Sequence, residues 1–145
     1  MQRLDTQLKE SHRRIHTAVA ASQTSLTELV GVGPIIACYL IGFTGDVTRF
    51  VSRDHLAAYN GTAPVERSSG GRIVHRVSQR GNRRLNHALH LTAIGQVRKL
   101  HSDGRVYFDR KLAEANQDDA VRSLKRHINN ATYRQLLADA NRSKP

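Results

Sequence analysis

The chain lacks tryptophan, has one cysteine and three prolines, and carries aromatic rings at only 5% of its 145 positions. A single thiol, Cys38, excludes an internal disulfide, and its neighbours Ile35, Ile36, Ala37, Tyr39 and Leu40 predict a buried thiol kept reduced. No apolar run approaches the roughly 20 residues of a membrane span. The opening MQRLDTQLKESHRR has no hydrophobic centre of the kind that makes a signal peptide. These absences predict a soluble intracellular protein with no membrane partner. With so few rings, the core of its one domain must be built from Leu, Ile, Val and Ala. Acidic residues are scarce too, 12 against 23 Lys and Arg, which leaves a net charge of +11. A charge of that size bears on partners rather than fold, and it favours a polyanion, nucleic acid first.

What is present is unevenly placed. Residues 1–30 carry a net +1, while residues 31–64 and 85–120 are neutral. Residues 65–84 hold Arg67, Arg72, Arg76, Arg80, Arg83 and Arg84 against Glu66 alone, and residues 121–145 are again strongly basic. The central patch contains Arg and no Lys, which suits bidentate contacts to phosphate. A basic loop that serves only solubility is the plainer alternative.

Apolar periodicity and capping residues predict a chain of helices. Leu4, Leu8, Ser11, Ile15, Ala18 and Ser22 form a seam at spacings of four and three, an N-terminal helix over 1–24 that suits the end of a coiled coil. Ser25 and Glu28 have capping-box spacing for a short helix through Val30, stopped by Gly31-Val32-Gly33. Pro34 fits the first position of the next helix. Ser52 caps Arg53–Tyr59, and Asn60-Gly61 ends that helix. Residues 62–71 read as a loop and Arg72–Val77 as a short strand. Asn82 opens the strongest helix, with Leu85, Ala88, Leu89, Thr92, Ala93, Gln96, Val97 and Leu100 inward. Helices over 106–114 and 118–140 follow, the second with Val121, Leu124, Ile128, Ala131 and Leu136 inward. The expected fold is mostly α: a compact helical domain over 25–145 with one small β/loop excursion.

Two motifs point to chemistry. Leu26 to Ala37, centred on Gly31-Val32-Gly33, resembles a helix-hairpin-helix, in which glycines Gly31 and Gly33 let backbone amides approach a phosphate at a helix N-terminus. The same glycines also suit an ordinary corner that only needs close packing. The second motif is Arg67-Ser68-Ser69-Gly70-Gly71-Arg72 with Arg76, Arg80, Arg83 and Arg84 downstream. A serine among arginines is what covalent phosphoryl transfer requires, because guanidinium groups stabilise charge developing on the phosphate. Most Ser-Ser-Gly stretches, however, are turn residues or simple phosphate contacts.

The order of these elements is more specific than any one of them. Gly31-Val32-Gly33-Pro34, then Phe50, Leu56-Ala57-Ala58-Tyr59, Gly61, Ala63-Pro64, Ser69-Gly70 and Gly81-Asn82 with Leu85 resembles the C-terminal domain of the insertion-sequence one-ten/one-sixteen/nine-oh-two transposase family. The resemblance covers roughly Leu26 to Leu137. It implies a DNA recombinase of a bacterial or archaeal cell, cytoplasmic and nucleoid-associated, homo-oligomeric when full-length, with DNA as partner and guide RNA as a further partner in some members. It implies that Ser69 is the nucleophile forming a phosphoserine link to DNA, with Ser68 as the alternative. Arg72, Arg76 and Arg83 become phosphate contacts. The family's acidic metal-binding domain has no counterpart here. Asp46, Asp54, Asp103, Asp109, Asp118 and Asp119 form no strand-borne set, so Mg2+ is expected only with that other domain and no cofactor in this chain. The sequence is then a fragment, a remnant or a separately expressed half. Arg84-Leu85-Asn86 also departs from the family's usual leucine followed by arginine.

His12 with His16 and His87 with His90 have one-face helical spacing but no Cys or strand-borne carboxylate companion, so no metal site is expected. Two rival functions remain: a non-catalytic nucleic-acid-binding module, and a structural RNA-binding protein.

Overall fold

A computed structural model describes residues 1–69, 72–77 and 81–145, with 65–69 and 72–77 described by their backbone alone. Six α-helices are present: α1 (Gln2–Ser22), α2 (Pro34–Thr44), α3 (Arg53–Asn60), α4 (Arg83–Arg98), α5 (Asp103–Glu114) and α6 (Gln117–Arg142). Strands β1 (Pro64–Ser69) and β2 (Arg72–Val77) pair antiparallel between α3 and α4.

Helix starts follow local chemistry. Ser52 Oγ accepts from the His55 amide at 3.2 Å, Asn82 Oδ1 from Leu85 at 3.0 Å, Ser102 Oγ from Arg105 at 3.1 Å, and Asn116 Oδ1 from Asp119 at 2.9 Å. Each side chain satisfies one of the amides that a helix N-terminus leaves unpaired. Pro34 occupies the first turn of α2, where its missing N–H costs nothing.

The core lies where α4 and α6 pack on each other, with α2 and α5 against α4, and α3 and α5 against α6. Leu26, Leu40, Leu56, Leu85, Leu89, Leu124 and Ile128 are its fully buried large apolar side chains. Each contributes about 1.5–3 kcal/mol through removal from water. Phe50 closes one end beneath the Arg49 guanidinium, 4.3 Å from its ring centroid, with Tyr59 5.3 Å away.

Several expectations are corrected. The packed body of the domain is helical throughout and no β-strand contributes to its core, so the expected small β/loop excursion is no part of the compact domain itself. Residues 64–69, expected within a loop, pair in register with 72–77 to make a two-stranded hairpin joined to the body at both ends. Pairing supplies hydrogen bonds that the Pro/Ser composition of 64–69 does not announce. The expected helix after Ser25 is one 3-10 turn, Leu26–Glu28, and the Ser25 side chain does not cap it. Its hydroxyl instead faces Gln135 and Asp139 of α6. The first half of the α1 seam points to water: Leu4 and Leu8 are 70% and 57% exposed, Ile15 is half-buried against the core, and Val19, outside that seam, is the buried residue. Cys38 is only half-buried. Leu100 lies beyond the end of α4 and is exposed.

Candidate nucleic-acid interface

The serine-bearing hairpin is anchored by amide side chains at its root. Asn60, the last residue of α3, is buried, and its Oδ1 accepts from both the amide and the hydroxyl of Thr62, at 3.1 and 2.7 Å. Its Nδ2 donates to Asn129 Oδ1 on α6 at 2.8 Å, and Asn129 Nδ2 donates to the Arg53 carbonyl at 3.1 Å. On the returning side, Asn86 Nδ2 donates to the Asn60 carbonyl at 2.9 Å. The Asn82 amide donates to the Tyr59 carbonyl at 2.7 Å, and Asn82 Nδ2 to the Tyr59 hydroxyl at 3.2 Å. That donation, followed by the Arg49 guanidinium, holds the Tyr59 phenol below its ordinary value. Lys125 Nζ donates to Asn86 Oδ1 at 2.7 Å, and burial, then Arg122, pushes its ammonium below its ordinary value. Buried amides of this kind are tolerated only when paired, and here each fixes the next. The two chain segments meet at glycines: a Cβ on Gly81 would lie 2.7 Å from the Gly61 amide nitrogen.

Along the hairpin, Ser69 pairs with Arg72, Ser68 with Ile73, Arg67 with Val74 and Val65 with Arg76. Residues directly opposite share a face, and faces alternate along each strand. Arg67, Ser69, Arg72 and Arg76 therefore occupy one face, and Glu66, Ser68 and His75 the other. Five residue steps separate Ser69 from Pro64, so the serine stands about 17 Å along the strand from its root. Gly70, Gly71 and Arg80 lie outside the described residues. Arg83 and Arg84 are exposed in the first turn of α4, which contains no acidic residue. Cations at that end oppose the helix dipole, so helix stability does not account for them.

The Gly31-Val32-Gly33 turn divides its two glycines between different tasks. Gly31 has φ +85°, and a Cβ there would fall 2.8 Å from the Thr92 carbonyl oxygen of α4. Gly95 meets it from the other helix, and Gln96 Nε2 donates to the Val30 carbonyl at 2.9 Å. Close packing accounts for Gly31. Gly33, which precedes α2, faces open space, and a Cβ there would meet nothing within 4 Å. Lys99, just past α4, lines the same shallow basin as residues 27–33. It supplies the cation that the turn's own neighbourhood in sequence lacks, and a separation of 66 residues hid it. Upstream, Asp139 of α6 accepts from the Ser25 amide at 3.0 Å, the Ser25 hydroxyl at 2.7 Å and the Thr24 hydroxyl at 3.0 Å. Burial raises the Asp139 carboxyl, but these donors and Arg142 outweigh it and hold the group below its ordinary value.

Among the described residues no three His, Cys, Asp or Glu side chains gather to hold a metal ion. Asp54 pairs with Arg126, Asp109 with Arg105 and Asp119 with Arg122. His87 is exposed and His90 half-buried, its imidazole pushed below the ordinary value by burial, then by Lys125 and His87. No described helix is long and apolar enough to cross a membrane.

Comparison with known proteins matches residues 23–109 to the family described as "Transposase IS116/IS110/IS902 family". The chain is 34% identical over 136 residues, 91% of its length, to the "Insertion element IS900 uncharacterized 42 kDa protein" of Mycobacterium paratuberculosis. It is 39% identical over 89 residues, 61% of its length, to the "Insertion element IS110 uncharacterized 43.6 kDa protein" of Streptomyces coelicolor. The chain spans 32% of the first relative and 22% of the second. The matched segment takes in the glycine turn, the hairpin with Ser68 and Ser69, and all of α4, so the sequence order and the comparisons converge: the chain belongs to the IS116/IS110/IS902 transposase family.

Proposed function

We propose that residues 25–145 form the DNA-binding, serine-bearing part of a transposase, in which Ser69 attacks a DNA phosphodiester. The observation that carries the reading is the hairpin register: Ser69 shares a face with Arg67, Arg72 and Arg76, whereas Ser68 shares one with Glu66 and His75. A pentacoordinate phosphate gains most from guanidinium groups on the nucleophile's own side. In the step, Ser69 Oγ bonds to phosphorus, its proton passes to a base outside this segment, and one deoxyribose oxygen leaves with the electron pair of the broken P–O bond. The described residues offer no cluster for Mg2+, and a carboxylate-bearing domain outside them would supply its ligands. The Gly33 turn with Lys99, together with Arg83 and Arg84, serves to hold phosphates without reading bases. DNA is the partner this reading requires; guide RNA and homo-oligomerisation belong to the full-length enzyme, working beside the nucleoid in the cytoplasm.

The experiment has two arms. Duplex binding by this chain should weaken with salt, with a log–log slope of about −0.9 per phosphate neutralised, and Arg72, Arg76 and Arg80 replaced together by Ala should flatten it. Joined to a family carboxylate domain, the chain should form a covalent adduct with DNA on denaturing gels. Ser69→Ala should abolish the adduct and leave duplex affinity within twofold, about the change expected when no charge is altered. An adduct that survives Ser69→Ala but not Ser68→Ala assigns the other serine, and one that survives both ends the serine mechanism.

A further inference from the structure

The face between α2 and α4, beside the hairpin root, has a feature that duplex binding does not use. The two helices run antiparallel: Gly31, before α2, meets Thr92 late in α4, and Phe43, late in α2, lies under Arg84 at the start of α4. Between them opens a groove of about 700 Å³ lined chiefly by Ile35, Tyr39, Arg83, Arg84, His87 and Leu91. That lies within the ~300–1,000 Å³ usual for a small-molecule site. Its floor is apolar and open to solvent, with Ile35 38%, Leu91 44% and Tyr39 46% exposed. The Tyr39 ring stacks on Phe43 at 5.5 Å and 29°, and the Arg84 guanidinium lies 5.6 Å from the Phe43 centroid. Phe43 thus backs Tyr39 and leaves nearly half of its surface open. No carboxylate lines the groove, and among the described residues none pairs with Arg83 or Arg84.

A supported aromatic ring beside paired guanidinium groups fits a flat, apolar-faced group attached to a phosphate. A base within a duplex hides its faces in the stack, so the ring can be reached only by an unpaired nucleotide. We propose that this groove holds one or two unpaired nucleotides of the DNA strand, a base on Tyr39 and its phosphates on Arg83 and Arg84. The inference rests on the DNA-binding reading above, and it deepens that reading by naming the strand state recognised. Arg83 follows the root residues Gly81 and Asn82, so a strand held here is kept beside the anchored end of the serine hairpin.

The test measures fluorescence anisotropy of the chain with labelled oligothymidylate, a duplex of equal length, and oligouridylate, at one salt concentration. Tyr39→Ala should weaken oligothymidylate binding by roughly 5- to 150-fold, the range of one base–aromatic stack, and change duplex binding less than twofold. Tyr39→Phe, which keeps the ring, should restore the lost affinity, and circular dichroism checks that each variant is folded. Equal losses for duplex and single strand overturn the inference, as does no loss for either. Stronger binding of oligouridylate than oligothymidylate overturns the assignment to DNA. A salt-dependent duplex affinity with an inert Tyr39 removes only this inference; the absence of any salt-dependent DNA binding removes the reading beneath it.

Discussion

The hairpin root and the Gly31-Val32-Gly33 turn are both places where a glycine presses on another segment's backbone, yet they are secured differently. At the root, Gly81 sits against Gly61, and uncharged amides of Asn60, Asn82, Asn86 and Asn129 close the surroundings. At the turn, Gly31 sits against Thr92 on one side while Gly33 opens to solvent on the other, and the tether upstream is the carboxylate of Asp139. The same residue type therefore marks a sealed joint in one region and a half-open one in the other. A glycine motif by itself does not say which side of the chain needs the space.

Substitutions at the two glycines held against neighbouring backbone should have the largest effect. Gly31→Ala adds a Cβ in the left-handed region and drives it toward a carbonyl oxygen; left-handed strain of about 1–2 kcal/mol and overpacking of about 1–3 kcal/mol combine. Gly81→Ala meets backbone atoms at 2.7 and 2.9 Å and carries the overpacking cost alone, about 1–3 kcal/mol. Urea unfolding of both variants checks the order, and a Gly31→Ala protein as stable as the parent would break the comparison.

Acid should separate the two regions next. The Asp139 carboxyl is depressed in the folded state from its ordinary 3.8. The stability it contributes is fully present above the unfolded-state value and is lost as pH falls through the lower folded-state value. The stability difference between the parent and Asp139→Asn should therefore shrink as pH drops below about 4. Hydrogen exchange at low pH should show the amide of Ser25 opening before that of Asn82, since the latter rests on groups with no carboxylate among them.

Gly33→Ala should have the smallest effect on folding, within about 0.5 kcal/mol, because the new methyl meets open space. Duplex affinity is the sharper readout there. If the turn's amides hold phosphate, the methyl should weaken binding severalfold, and its loss of affinity should exceed any produced by Gly42→Ala, an equally open glycine within α2.

The helix starts are legible in the sequence because caps are local: Ser52 and Asn82 bond amides three residues on, and Pro34 is fixed by its own ring. The inward stripe of α4 is legible at Leu85, Ala88, Leu89, Thr92 and Ala93 for the same reason, since helical period alone determines it. The root is not. Asn60 and Asn129 are 69 positions apart, Asn86 and Lys125 39, and an isolated asparagine reads as a turn or a solvated helix residue. Ser25 reads as a cap because the capping-box spacing is present, while its better partner, Asp139, is 114 positions away. The faces that Ser68 and Ser69 occupy likewise depend on strand register, which neither serine's neighbours specify. The charge pattern finds the central arginines, but not that Lys99 stands beside the turn.

One consequence follows from the exposure of α1. Its 21 residues make a rod of about 30 Å that is seated on the core only near Ile15 and Val19, close to one end. Such a rod is a lever with a short arm inside the domain and a long arm in water. A rotation of about 10° at the seat sweeps the far tip through roughly 5 Å, given the rise of 1.5 Å per residue. Repacking around this seat is thereby magnified, and the direction in which the Met1 end points is set by a contact confined to the surroundings of Ile15 and Val19.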